Sequence, residues 1–307
     1  MVRTAYVLLF LTALMWAGNA IAGKLAIGHI SPMMLTFARW AIGLVVIGLI
    51  GWKQLKRDWK AARGKLALLF ILGAAGFAWF NAALYSALLF TSAINVSIEQ
   101  AAMPMVIMAA NFLLFAMRVT WAQIAGFVLS IVGVAIVASH GELARLVGLE
   151  INRGDALMVL AVLLYSGYTV ALRFKPAIHW QSVMIVMVFG AVAASLPFVV
   201  WEAATDRLIL PDARGWAIVA YTALFPSLLS QIFFMRGVEL IGANRAGLFI
   251  NLVPILGTLL SIVILGEAFE PFHAVAMVLV MGGIAMAEIS GRRAAARAKG
   301  NNGPLAR

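Results

Sequence analysis

INVSIEQAAMPMVIMAANFLLFAM, residues 94–117, sets an asparagine, a serine, a glutamate and a glutamine at the head of a stretch that is almost wholly apolar beyond Pro104. One hundred and fifty residues later NRAGLFINLVP, residues 244–254, repeats the arrangement, with polar residues first and a proline ten residues after the start. An apolar run of this length is a membrane span, because a hydrocarbon core of about 30 Å takes roughly 20 helical residues. Its recurrence asks for a chain made of two related halves.

The whole sequence fits that frame. Of its 307 residues 64% are hydrophobic and 11% charged, and mean hydropathy is +1.01, values outside the range of water-soluble domains. Ten spans are expected, near 5–23, 33–51, 66–90, 97–117, 121–139, 156–174, 182–201, 216–235, 246–265 and 273–290. The fold class is therefore an all-α integral membrane protein. The first span, despite Arg3 and small residues at its end, is read as a span and not as a cleaved signal, since the others need it as a partner. The chain has no cysteine, so neither a disulfide framework nor a thiolate metal site is expected.

A formal charge of +11 would point to nucleic acid on a soluble surface, but here its placement follows the membrane, and no nucleic-acid partner is expected. On the side of the N-terminus lie 17 Lys and Arg residues, six of them in 53–65 and five in the tail; the other side holds five, Lys24, Arg145, Arg153, Arg207 and Arg214. Both termini are thus expected in the cytoplasm of a multi-pass protein of the cell inner membrane. The tail 291–307, GRRAAARAKGNNGPLAR, is expected to be a basic cytoplasmic anchor with a disordered end, and membrane lipid is its expected contact.

A shift of 150 residues pairs Pro104 with Pro254, Gly133 with Gly283, His29 with His179 and Asn81 with Gln231. A shift of 149 pairs LMWAGNAIAGK (14–24) with LLYSGYTVALR (163–173), so Gly18 meets Gly167 and Lys24 meets Arg173. Five spans per half is an odd number, so the second half enters the membrane upside down relative to the first. Inverted repeats of this kind are a carrier architecture with the solute bound near the midplane. The expected division is a first repeat over 1–140, an outer linker over 141–155, a second repeat over 156–290 and the tail.

These residues resemble the EamA family of the drug/metabolite transporter superfamily. The resemblance runs over about 5–290 through W-A-G-N-x-x-x-G-K (16–24), S-P-x-x-L-T-x-x-R (31–39), Y-S-A-L-L-F-T-S-A-I-N (85–95), G-F-V-L-S-I-V-G-V (126–134), A-N-R-A-G-L-F-I-N-L-V-P (243–254), L-G-E (265–267) and G-G-I (282–284). It implies ten spans in two five-helix repeats around a central cavity. The family's glutamate after the fourth span is replaced by Arg118 in the first half and kept as Glu267 in the second.

Polar groups inside the spans are the candidate site, since an unpartnered amide in hydrocarbon is costly. Asn19, Asn81, Asn111, Gln231 and Asn251 are such amides, each open to two readings, a hydrogen bond joining helices or a solute contact. Trp16, Asn19 and Gly23 share a helix face, as do Asn81 and Tyr85, and Ser227 and Gln231. Candidate substrate-binding residues are Trp16, Asn19, Asn81, Tyr85, Tyr165, Tyr168, Gln231 and Asn251, aromatic walls with amides that suit a small planar or amphipathic metabolite. Asn95, Ser97 and Glu99 fall in the first turn of a helix, where polar and acidic groups are favoured. The alternative places Glu99 and Gln100 at the mouth of the path, with Glu99 binding a proton or a cationic group. Pro104 and Pro254 are candidate hinges. Arg39 is read first as an outer anchor whose long side chain snorkels to the interface, and second as a holder of an anionic group. Lys24 and Arg173 are read as terminal anchors, and Trp52, Trp59, Trp180, Trp201 and Trp216 as an interfacial belt.

No catalytic cluster, HExxH, GxSxG or phosphate-binding loop occurs, so an enzyme is not expected, no cofactor or metal is implied, and energy has to come from a gradient. The expected function is a secondary carrier exporting amino acids or similar small-molecule metabolites, with protons as a candidate coupling ion. The alternatives are an uptake or efflux carrier for aromatic cofactor-like or drug-like molecules and a non-transporting assembly subunit.

Overall fold

The computed structural model describes residues 2–117, 119–142, 152–241 and 246–301. Arg118, the second-half cluster at Asn244 and Arg245, and most of the expected linker 141–155 lie outside the described residues. Among the described residues the chain is helical, without strands. Its α-helices are α1 Val2–Leu25, α2 Pro32–Ala62, α3 Leu66–Gly73, α4 Phe80–Ala87, α5 Ala93–Gln100, α6 Met103–Phe115, α7 Trp121–Ala138, α8 Arg153–Ala171, α9 Trp180–Ala204, α10 Ala213–Thr222, α11 Ser230–Ile241, α12 Leu252–Leu260 and α13 Pro271–Asn301.

Eight helical stretches among the described residues are long and apolar enough to cross a membrane, where ten spans were expected. The difference has two sources. One stretch, Pro32–Ala87, runs for 56 residues, about 84 Å if straight. It is not straight. Trp40 Nε1 donates to the carbonyl of Phe77 at 3.0 Å, two residues that a continuous helix would hold about 55 Å apart. The chain folds back at the 3-10 turn Arg63–Lys65, and both α2 and α3 lie against α9. The other source is Phe249–Leu265, which is apolar but short. It is assembled from a 3-10 turn, α12 and a π-helical segment Ser261–Leu265.

Three further departures from the expected spans have local causes. The fourth expected span is two helices, α5 and α6, separated by a turn at Ala101 and Ala102, with Pro104 in the first turn of α6, where its missing N–H is not needed. The third and eighth expected spans each contain a π-helical segment, Ala74–Trp79 and Ala223–Leu229. The latter holds Pro226, which cannot supply the regular backbone bond. Helix α13 continues into the expected tail as far as Asn301, because AAARAK is made of the strongest helix formers; the rest of the expected disordered end, 302–307, lies outside the described residues.

Carboxylates from distant parts of the chain complete several helix starts. The side chain of the N-cap Ser31 accepts no bond from the first turn of α2; instead Glu202, near the end of α9, accepts from Ser31 Oγ at 2.5 Å, Met33 N at 3.1 Å and Met34 N at 3.2 Å. In return Asp58, near the end of α2, accepts from Ser182 Oγ at 2.6 Å and His179 N at 3.1 Å at the start of α9. Glu267 accepts from Ala93 N at 2.8 Å and Ile94 N at 3.0 Å, closing the start of α5. Each acid meets orphan N–H groups and the positive end of a helix dipole.

The buried apolar side chains form three clusters, one among α1, α4, α8 and α10, one between α2, α3 and α9, and one among α5, α7 and α13. Gly73 and Gly190 let α3 and α9 touch backbone to backbone: a Cβ on Gly190 would lie 2.7 Å from the carbonyl oxygen of Phe70. Leu49, Leu113, Val263 and Val278 stand largely exposed on four different stretches, an outer apolar surface that suits lipid and not water.

Candidate functional site

The site begins with Arg39, a charged side chain deep in the first half. Leu35, Arg39, Gly43 and Ile47 lie on the inward face of α2, so the guanidinium of Arg39 turns into the bundle. It is 3% exposed. Its Nη1 donates to Asn19 Oδ1 at 3.0 Å, to Asn81 Oδ1 at 2.7 Å and to the hydroxyl of Tyr85. Its Nε and Nη2 donate to Ser227 Oγ at 3.1 and 2.5 Å. The reading of Arg39 as a snorkelling anchor is therefore corrected: hydroxyls and amides from α1, α4 and the Ala223–Leu229 segment hold it inside. The interface was within reach, but four neutral acceptors offered the charge a better-organised shell.

These acceptors are themselves fixed. Tyr85 donates to Asn19 Oδ1 at 2.8 Å, Asn81 Nδ2 to Phe77 O at 2.7 Å, and Ser227 Oγ to Thr222 O at 2.7 Å. The last two carbonyls belong to the π-helical region or the residue preceding it, where an irregular backbone leaves acceptors to be satisfied by side chains.

Around this polar shelf lies a cavity of about 1150 Å³. Its aromatic wall is continuous: Trp40 stacks on Phe77 with centroids 4.6 Å apart, Phe77 meets Tyr168 at 5.6 Å, Tyr168 meets Tyr165 at 5.4 Å, and Tyr165 meets Phe80 at 4.9 Å. Trp16 and Phe234 face each other across another part of the wall at 5.5 Å. The cavity continues to Gln123, Leu172, Glu288 and Gly291, near the ends of the fifth, sixth and tenth expected spans.

Of the expected substrate-binding residues, Trp16, Asn19, Asn81, Tyr165, Tyr168, Gln231 and Asn251 line this cavity, whereas Tyr85 does not. Tyr85 is 2% exposed and stands behind Arg39. Gln100, Pro104 and Pro254 line the cavity; Glu99, expected at its mouth, does not. Glu99 is buried, and neither of its carboxylate oxygens has a hydrogen-bond partner. Its neighbours in the expected polar cluster serve the helix start and its surroundings: Ser92 accepts from Asn95 N, Asn95 Nδ2 donates to Thr91 Oγ1, and Asn95 Oδ1 meets His273 Nε2 at 3.0 Å. Asn111 is joined to Arg173 at 3.0 Å, outside the cavity lining. Lys24 donates to the carbonyls of Leu88 and Thr91 at 2.8 and 2.7 Å, tying down the end of α4. Among the cavity residues that sequence reasoning did not select are Trp40, Phe77, Phe80 and Phe234; Arg39, read there only second as a holder of an anionic group, carried the usable signal, since a charge within an apolar span is by itself a pointer to a site.

Known proteins resemble this chain over most of its length. The EamA-like transporter family matches the chain twice, over residues 3–139 and 152–288. A protein of Bacillus subtilis (strain 168) named Uncharacterized transporter YyaM is 26% identical over 85% of this chain and 86% of its own length. A second from the same organism, Uncharacterized transporter YetK, is 24% identical over 91% of this chain and 85% of its own. A crystal structure of a protein with 21% sequence identity superposes with a TM-score of 0.61, covering 95% of this chain and 98% of that one. The chain is a multi-pass membrane protein, and it belongs to the EamA-like transporter family.

Proposed function

We propose that the protein is a secondary carrier that moves small organic metabolites across the cell inner membrane by alternating access. The observation that carries this reading is the cavity of about 1150 Å³ lined by residues of both sequence halves, with an aromatic wall and a few convergent polar groups. Ten crossings follow if Pro32–Ala87 counts as two and Phe249–Leu265 as one. Two inverted repeats are supported by pairs that exchange under the 150-residue shift. A Cβ on Gly126 would meet the backbone of Gly283, and one on Gly133 would lie 2.9 Å from the carbonyl of Ala276. The π-helical segments Ala74–Trp79 and Ala223–Leu229 are related by the same shift to within one residue. With both termini cytoplasmic, as the charge asymmetry favours, the cavity extends toward the cytoplasmic helix ends.

Amino acids or similar compounds are the first solutes to test, with export as the working direction. Trp16, Asn19, Asn81, Tyr165, Tyr168, Gln231 and Asn251 form the binding surface, Tyr85 supports it from behind, and Pro104 and Pro254 are the hinges. Gln100 is a mouth residue. Protons are the coupling ion to test first, through Glu99. One observation favours a second reading: the cavity exceeds the volume of about 300–1,000 Å³ usual for small-molecule sites, which suits larger aromatic cofactor-like or drug-like molecules. Counterflow in proteoliposomes of the pure protein, run against radiolabelled metabolites of both kinds, separates the two. Absence of flux with every solute would favour an assembly subunit instead.

A further inference from the structure

Arg39 has no counter-charge among the described residues. All of its hydrogen-bond partners, Asn19, Asn81, Tyr85 and Ser227, are neutral, and no carboxylate among the described residues is within ion-pair distance of it. A buried guanidinium loses hydration that neutral acceptors only partly restore. The donor count leaves room for one more ligand. A guanidinium has five N–H groups; Nε uses its one on Ser227, Nη1 is crowded by three acceptors, and Nη2, with two, has only Ser227. Arg39 also lines the cavity, its guanidinium 5.0 Å from the centroid of the Trp40 ring of the aromatic wall.

We infer that the missing partner is the solute: the cavity takes organic monoanions, with the carboxylate on Arg39 and a planar apolar body against the Trp40–Phe77–Tyr168 wall. A carboxylate is favoured over a phosphate dianion, because Arg39 is the sole Lys or Arg among the described lining residues, so one positive charge meets the solute. A zwitterion meets the same requirement. The inference rests on the reading of the cavity as a solute site and names the chemistry of what it takes.

The test uses the full chain, purified in detergent and kept in chloride-free buffer, with matched pairs of probes: benzoate and benzamide, 3-phenylpropionate and 3-phenylpropionamide, indole-3-acetate and indole-3-acetamide. Binding is read by thermal shift and by quenching of tryptophan fluorescence, since Trp16 and Trp40 line the cavity. At least one acid should raise the melting temperature where its amide does not. Arg39→Gln should weaken that acid by tenfold or more, while Arg39→Lys keeps part of the affinity. The comparison of acid with amide needs no variant, so it stands even if Arg39→Gln fails to fold. Equal binding of acid and amide throughout, or wild-type affinity for the acid in Arg39→Gln, overturns the role of Arg39 and leaves the cavity reading intact. No shift with any probe overturns the anion assignment, and if counterflow also fails across the wider solute panel, the carrier reading falls with it.

Discussion

Asn81 and Gln231 occupy matching positions of the two halves and both line the cavity, yet replacing them should have very different effects. Asn81 Oδ1 accepts from Arg39 at 2.7 Å and Asn81 Nδ2 donates to Phe77 O at 2.7 Å. A hydrogen bond to a charged group contributes about 1.5–3 kcal/mol net, and a neutral one about 0.5–1.5 kcal/mol. Asn81→Leu removes both and leaves Arg39 leaning on Asn19, Tyr85 and Ser227, so a loss of about 2–4 kcal/mol is expected. Gln231 makes no such bond among the described residues, and Gln231→Met should change stability by less than about 0.5 kcal/mol. If Gln231 instead contacts solute, its replacement should weaken apparent affinity by about tenfold, the equivalent of about 1.4 kcal/mol. Equilibrium unfolding in mixed micelles measures the first difference, and competition in the counterflow assay the second. Equal destabilisation by the two substitutions would refute the asymmetry drawn from the Arg39 network. Wild-type affinity in Gln231→Met would remove that amide from the binding surface.

Gly73→Ala should be strongly destabilising, because its Cβ would lie 2.6 Å from the carbonyl carbon of Met187 in backbone that cannot give way, whereas Gly48→Ala in α2, with open space around it, should raise helix stability by about 0.5–1 kcal/mol; unfolding transitions of the two variants in opposite directions would bear this out. The His29–Asp212 pair, 2.7 Å apart, holds the Asp212 carboxyl below its ordinary value of 3.8, with the Gly215 N–H adding to the effect. Its contribution should be complete above that value and vanish as pH falls through the lowered one, and melting temperatures taken across this acid range should show the component in the wild type but not in Asp212→Asn. Because the chain has no cysteine, Ala61→Cys and Ala204→Cys report orientation directly: impermeant thiol reagents applied to intact cells should label the second and spare the first, and the reverse pattern would overturn a cytoplasmic N-terminus. Glu99→Gln should abolish accumulation driven by a pH gradient while sparing exchange if this acid carries the coupling proton; normal gradient-driven accumulation in the variant would dismiss that role.

The helices could be read from the sequence because hydrocarbon imposes length and apolarity on each of them, and the aromatic and amide lining could be read from shared faces such as Trp16 with Asn19. What was not legible depended on direction, not on composition. Arg39 lies about ten ångströms along α2 from its start, near enough to the interface for either an outward or an inward rotamer. Only the meeting of Asn19, Asn81, Tyr85 and Ser227 from distant parts of the chain decides between them. Tyr85 shares a face with Asn81, but the cavity ends one turn short of it. Glu99 sits one residue from Gln100, and that one step of about 100° on the helix separates a cavity-lining side chain from one turned into the protein. The π-helical segments left no mark that a 3.6-residue period would reveal.

The exchange of carboxylates between α2 and α9 bears on how such a protein can move. Glu202 and Asp58 fasten the two helices at both ends of their overlap, on the order of 40 Å apart along α2. Sliding one helix past the other by a single turn would strip both fastenings together. The pair should therefore behave as an axle that resists translation but tolerates a small roll. The displacement that exposes the cavity to one side or the other is then left to the segments least regular in their backbone, the turn at Ala101–Ala102 and the stretch from Gly247 to Asn251. A cross-link between α2 and α9 should spare transport, and one that immobilises either irregular segment should stop it.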